Sequence, residues 1–177
     1  DNMDGISTGV ALVVSFFLGI LGLISDQKFY SLCLFSMVGS TLATQIFNFP
    51  PAKIYAGDSG SLFYGLTLSS LAIIVTNSLN STPYDGNNFK LLGILFLIFI
   101  YPIYDTTLVV TIRLANSYPP WLGDTNHSTH RLSRLGYSTK FISLAILLMQ
   151  FLTSLAMFFL LENSDLYNLT AMILIIL

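Results

Sequence analysis

Pro51–Gly65 reads PAKIYAGDSGSLFYG. The stretch sets one lysine, Lys53, and one aspartate, Asp58, at the mouth of a long apolar run. No other charged residue stands between Lys28 and Asp85. A bilayer core of about 30 Å takes about 20 apolar residues in helical form. The run Ser59–Tyr84 is long enough and carries no charge. The stretch therefore implies a membrane-crossing helix, entered through a loop of small residues that holds a carboxylate.

The same punctuation by charge extends in both directions. Gly5–Ser25, Phe29–Ala52 and Phe141–Leu161 are free of charge, Leu91–Ile112 is interrupted only by Asp105, and Leu166–Leu177 would begin a further span. The expected fold is all-α: a polytopic transmembrane bundle of about five full spans plus a truncated sixth, forming a single integral membrane domain over residues 1–177. Composition agrees, with 54% hydrophobic and 9% charged residues against about 25% charged in soluble domains. No basic patch offers itself to nucleic acid. The single cysteine, Cys33, leaves no disulfide or cysteine-based metal site within the chain. A start at Asp1 without methionine and an end inside an apolar run read as an internal fragment lacking N-terminal spans.

Alternating spans sort the polar segments onto two sides. One side holds DNMDG, the PPAKIYAGDSG loop and Arg113–Lys140, with Lys53, Arg113, Arg131, Arg134 and Lys140. The other holds Ser25–Lys28, Asn77–Lys90 and Glu162–Asp165, with Lys28 and Lys90. Excess Lys and Arg in short loops marks the cytoplasmic face. Asp1, Asp4, Asp58, His127 and His130 therefore all belong to that face.

Each of these groups has a structural and a chemical reading. Asp58 in GDSGS suits a helix N-cap. It equally suits a magnesium ligand facing phosphate, since hard cations take carboxylate and phosphate oxygens and a helix N-terminus favours anions. Asp1 and Asp4, if helical, share a face at three residues' spacing; otherwise they form a polar turn before the first span. His127 and His130 are too few for zinc. With Arg131 they suit a phosphate-binding cluster or an ordinary polar loop, with Trp121 at the membrane interface. Asp105 is an intramembrane carboxylate and so a candidate by position. Supporting the histidine loop from behind, or a structural pairing, is expected ahead of proton relay. Pro102 is expected to kink its span.

Four segments in order carry a resemblance: DNMDGIS, FNFPPAKIYAGDSGSLFYG, YPIYDTTLVVTIRL and GDTNHSTHRLSRLGYS. Together they resemble the polyprenyl-phosphate N-acetylhexosamine-1-phosphate transferase family (glycosyltransferase family 4), over nearly the whole chain. The resemblance implies transfer of a sugar 1-phosphate from a UDP-N-acetylhexosamine to a polyprenyl phosphate such as undecaprenyl phosphate. UMP is released, with Mg2+ or Mn2+ as cofactor, at the cytoplasmic face of the cell membrane. By position, Asp58 would bind metal, and Asp1 and Asp4 would be catalytic carboxylates, with Asp1 also toward the metal. His127, His130 and Arg131, with neighbouring Asn126, would contact the nucleotide diphosphate, and Lys53 would lie near phosphate. Thr129 stands where the family has its middle histidine, and Asn2 where a glycine is usual. The family's DDxxD segment would precede Asp1, so this chain alone is expected to be inactive. HRLSRLG resembles the N-acetylglucosamine-1-phosphate branch, with the phospho-MurNAc-pentapeptide branch as the alternative. A second copy of the chain is an open partner. The rival classes are a cation- or proton-coupled transporter using Asp105 and Asp58, and a membrane subunit without a site.

Overall fold

The computed structural model describes residues 2–79, 88–121 and 126–162, with the backbone alone at 88–90 and 159–162. Asp1, Asp124 and the run Leu166–Leu177 lie outside the described residues. The described helices are α1 (Ile6–Ile24), α2 (Lys28–Asn48), α3 (Gly57–Ser78), α4 (Asn88–Ile98), α5 (Ile100–Ala115), α6 (Ser128–Arg134) and α7 (Thr139–Glu162). Four of them, α1, α2, α3 and α7, are long and apolar enough to cross a membrane, and the bent pair α4–α5 makes a fifth span if counted as one. The all-α polytopic architecture is as expected.

α1 is the centre of the bundle. In its most apolar stretch 67% of residues are buried, against 22% in α2 and α3 and 33% in α7, and it packs against all three. Its inward residues include Val14, Phe17, Leu18 and Leu21. Small residues let its neighbours approach, as is usual where lipid is no less apolar than the helix. A Cβ placed on Gly9 would lie 2.5 Å from Leu147 of α7. The remaining spans leave Leu62, Leu66, Phe29 and Leu148 exposed, as suits surfaces that face lipid.

Two boundaries differ from the charge-free runs, for local reasons. α2 stops at Asn48, because Phe49 precedes a proline pair and is extended (φ −63°, ψ 139°); a residue before proline disfavours the helical region. The run Leu91–Ile112 is divided at Phe99, where α4 and α5 meet at 75°. Pro102 explains the break. It has no N–H to give to the carbonyl four residues earlier, which belongs to Ile98. That carbonyl instead accepts the Gln150 side-chain amide from α7 at 2.8 Å, and Gln150 also donates to Ser154 Oγ at 3.0 Å. A freed carbonyl in an apolar interior must find such a partner.

The N-terminal acidic segment is a turn. Ile6 N–H donates to Met3 O at 3.2 Å, and helix begins only at Ile6. The shared helical face considered for Asp1 and Asp4 is therefore not formed on the Asp4 side, and Asp1 lies outside the described residues. Gly5 caps α1 with φ 75°, a left-handed conformation that glycine adopts without steric cost.

Candidate functional site

The site is built on two groups of polar side chains. The first fixes the acidic turn and the loop that leads to GDSGS. On α2, Thr41, Gln45 and Asn48 fall on one stripe and are all buried. Asn48 Oδ1 accepts the Gly5 N–H at 3.0 Å, while Asn48 Nδ2 donates to Ile54 O at 2.7 Å. Gln45 Nε2 donates to Gly5 O at 3.0 Å. The Thr8 hydroxyl lies against the side-chain oxygens of both Gln45 and Asn48. One glycine thus has both backbone groups held by side chains of another helix. The loop is held from its other flank as well. Asp4 Oδ2 accepts Ala52 N–H at 3.0 Å, and Phe47 O accepts Lys53 N–H at 2.8 Å. Ser143 of α7 donates to Asp4 O at 2.9 Å. Asn2, Met3, Asp4, Asn48 and Tyr55 line a cavity of about 190 Å3 between turn and loop.

From this anchored loop Gly57 turns the chain into α3 with φ 65°. Asp58 stands in the first turn of α3 and is exposed. The capping reading fails here: the N-cap is Ala56, and no side chain caps the helix. The Asp58 carboxylate makes no hydrogen bond or ion pair with the described residues. Its position still gains from the positive end of the helix dipole.

The second group surrounds Asp105 of α5, a buried carboxylate with 7% exposure. Its Oδ1 accepts both Ser128 N–H at 2.8 Å and Ser128 Oγ–H at 2.6 Å. Its Oδ2 lies 2.7 Å from His127 Nδ1 and accepts Asn2 Nδ2–H at 3.1 Å. Asp105 therefore joins the N-terminal turn, α5 and the histidine loop. His130 is half-buried, its ring centroid 6.4 Å from that of His127, and Arg131 and Lys53 are exposed. Thr129 points inward, fully buried, and its hydroxyl has no hydrogen-bond partner. Where the resembled family carries a histidine, this chain thus turns a small side chain into the protein.

Of the residues expected to form a site, the fold ties Asp4 to the loop before Asp58 and ties His127 to Asp105 and Asn2. Among the described residues, the side chains of Asp58, His130, Arg131 and Lys53 have no such ties. Half-buried Asn126 immediately precedes His127. Magnesium commonly takes one or two carboxylates and keeps water and substrate phosphates for its remaining positions. An exposed carboxylate without protein donors, such as that of Asp58, fits that chemistry. No group of three or more His, Cys, Asp or Glu converges among the described residues, so the chain provides no closed metal cage there. The sequence analysis did not single out Gln45, Asn48 or Ser128, and marked Asn2 only as a departure from the family's usual glycine. The signal for the first two was present: Thr41, Gln45 and Asn48 are polar residues at helical spacing inside an apolar run, which places them on one face.

A family model described as glycosyl transferase family 4 matches residues 1–76, the part that carries the acidic turn, its clamp and the GDSGS loop. That N-terminal part is thus similar to glycosyl transferase family 4. A probable undecaprenyl-phosphate N-acetylglucosaminyl 1-phosphate transferase of Bacillus subtilis is 30% identical to this chain over 156 residues, 88% of the chain and 42% of the relative. A decaprenyl-phosphate N-acetylglucosaminephosphotransferase of Mycobacterium leprae is 30% identical over 160 residues, 84% of the chain and 40% of the relative. A phospho-N-acetylmuramoyl-pentapeptide-transferase of Listeria monocytogenes is 32% identical over 75 residues, 42% of the chain and 23% of the relative. The chain spans about two fifths of the length of the first two.

Proposed function

We propose that the full-length protein carrying this chain transfers N-acetylglucosamine 1-phosphate from a UDP-sugar to a polyprenyl phosphate, releasing UMP at the cytoplasmic face of the cell membrane. One observation carries the reading: the acidic turn, the loop before GDSGS and the histidine loop, remote in sequence, are bound together through Asp4 to Ala52 and through Asn2 and His127 to Asp105. Two phosphate-bearing substrates repel one another, and phosphoryl transfer is catalysed chiefly by positioning and charge stabilisation. Carboxylates and basic groups gathered at one end of a membrane bundle supply those needs, and a lipid tail would lie against its exposed apolar helix faces.

In this reading Asp58, with Asp1, would hold a magnesium ion, which when bound offsets phosphate charge. Asp4 acts at the acidic turn, its carboxylate steadied by Ala52 N–H. His127, His130, Arg131 and Asn126 face the nucleotide diphosphate, with Lys53 near phosphate. The N-acetylglucosamine branch is favoured over the pentapeptide branch because similarity to the Bacillus transferase runs over 156 residues, but to the pentapeptide transferase over only 75.

The test uses membranes bearing the full-length protein, labelled UDP-N-acetylglucosamine, undecaprenyl phosphate and magnesium. UMP release and label entering lipid are expected. Transfer only with another UDP-sugar would move the branch, and no transfer with any would overturn the reading. A cysteine at Asn126 should be labelled from the cytoplasmic side alone; labelling from outside would reverse the proposed orientation.

A further inference from the structure

Asp105 lies behind the face that the proposed function uses, and its surroundings are unusually complete. A carboxylate offers about four lone-pair positions and can only accept. Here four donors converge on it: Ser128 N–H, Ser128 Oγ–H, Asn2 Nδ2–H and His127 Nδ1. No lone pair remains for a metal or a substrate. An ionised carboxylate 2.7 Å from Nδ1 requires that nitrogen to carry hydrogen. The histidine ring then has one nitrogen, Nε2, left for a ligand.

The supports of this arrangement come from three places. α5 brings Asp105. His127 is the N-cap residue of α6 but makes no capping bond of its own; the carboxylate from α5 instead takes the first N–H of that helix, which pins the loop beside the ring. Asn2 belongs to the acidic turn and shares Oδ2 with His127.

Resting on the proposed function, we infer that Asp105 is a positioning residue. It fixes the Nδ1-protonated form of His127, reserves Nε2 for the nucleotide diphosphate, and locks the histidine loop to the acidic turn. Asparagine cannot replace it. One amide oxygen can serve two of the four donors, and the amide N–H2 would face the other two. Groups that orient a ligand-binding histidine typically matter by about 10- to 100-fold.

The experiment compares wild type, Asp105→Asn, His127→Asn and the double variant in the full-length protein, using the transfer assay above. Asp105→Asn should lower kcat/KM by about 100-fold, mostly through KM for the UDP-sugar, as His127→Asn does. The double variant should fall no more than about threefold below His127→Asn, because coupled groups are strongly non-additive. Unchanged activity in Asp105→Asn, or two fully multiplicative losses, would overturn the inference. A second readout needs neither activity nor a stable variant at 105. In 15N-histidine-labelled wild type, with His127→Asn used to assign the signal, Nδ1 of His127 should be protonated; a bare Nδ1 would overturn the inference. If wild type transfers nothing, the functional reading fails, while the ring-nitrogen measurement still decides the role of Asp105.

Discussion

Asp58 and Asp105 are both aspartates on membrane helices, and they differ in every respect that matters to chemistry. The Asp105 carboxylate is buried and accepts from four donors, whereas the Asp58 carboxylate is exposed at the start of α3 and accepts from none of the described residues. The first spends its charge inside the protein and becomes a fixed joint. The second keeps its charge available. Position within a span drew attention to Asp105 as a site candidate, yet four groups of the chain itself converge on its carboxylate, the basis of the positioning role inferred above. The exposed residue at the start of α3 is the one that would meet the cation and phosphate of the proposed reaction.

Replacing Asp58 gives the largest expected effect. Asp58→Asn in the full-length protein should reduce transfer by about 1000-fold or more, the scale of lost charge stabilisation at a reacting phosphate, with membrane insertion unchanged. Retention of more than about a tenth of wild-type activity would erase the distinction between the two aspartates. Next comes Asp105→Asn, with its dependence on His127. Third is the clamp that holds the loop before Asp58. Asn48→Ala leaves the Gly5 N–H and the Ile54 carbonyl without their partner, and a buried group left unpaired costs about 1–3 kcal/mol. Lower thermal stability, and faster proteolysis within residues 49–56, should both follow. Unchanged stability would mean that Gly5 is held adequately by Gln45 alone. The smallest effect belongs to Asn2→Gly, which removes one of the two donors on Asp105 Oδ2 but leaves His127 in place. About a threefold loss of kcat/KM is expected, near 0.6 kcal/mol and within the range of one ordinary hydrogen bond. A loss as large as that of Asp105→Asn would move the joint's importance from the histidine loop to the acidic turn.

Much of this architecture was legible in the sequence, because in a chain with so few charges each charge marks the end of a span. The crossings of α1, α2, α3 and α7 follow from that pattern. The break between α4 and α5 was legible only in part. Pro102 announced a kink, but the helix yields at Phe99, where the lost donor is felt. The partners of Asp105 were not legible, since periodicity relates neighbours on one helix and says nothing of donors brought from Asn2 or Ser128. Asp58 misled for a related reason: Asp is a favoured capping residue, yet the turn through Gly57 puts the N-cap at Ala56 and leaves Asp58 past it.

The carbonyl of Ile98 is orphaned as soon as α4 and α5 form, but the amide that relieves it arrives 52 residues later in the chain. A nascent membrane protein made in order from its N-terminus must carry that uncovered carbonyl until α7 enters. The bend between α4 and α5 is set locally by Pro102, and what it lacks without α7 is a partner for that carbonyl. The Gln150 amide of the last described helix supplies it, so packing of α7 is what satisfies the broken span.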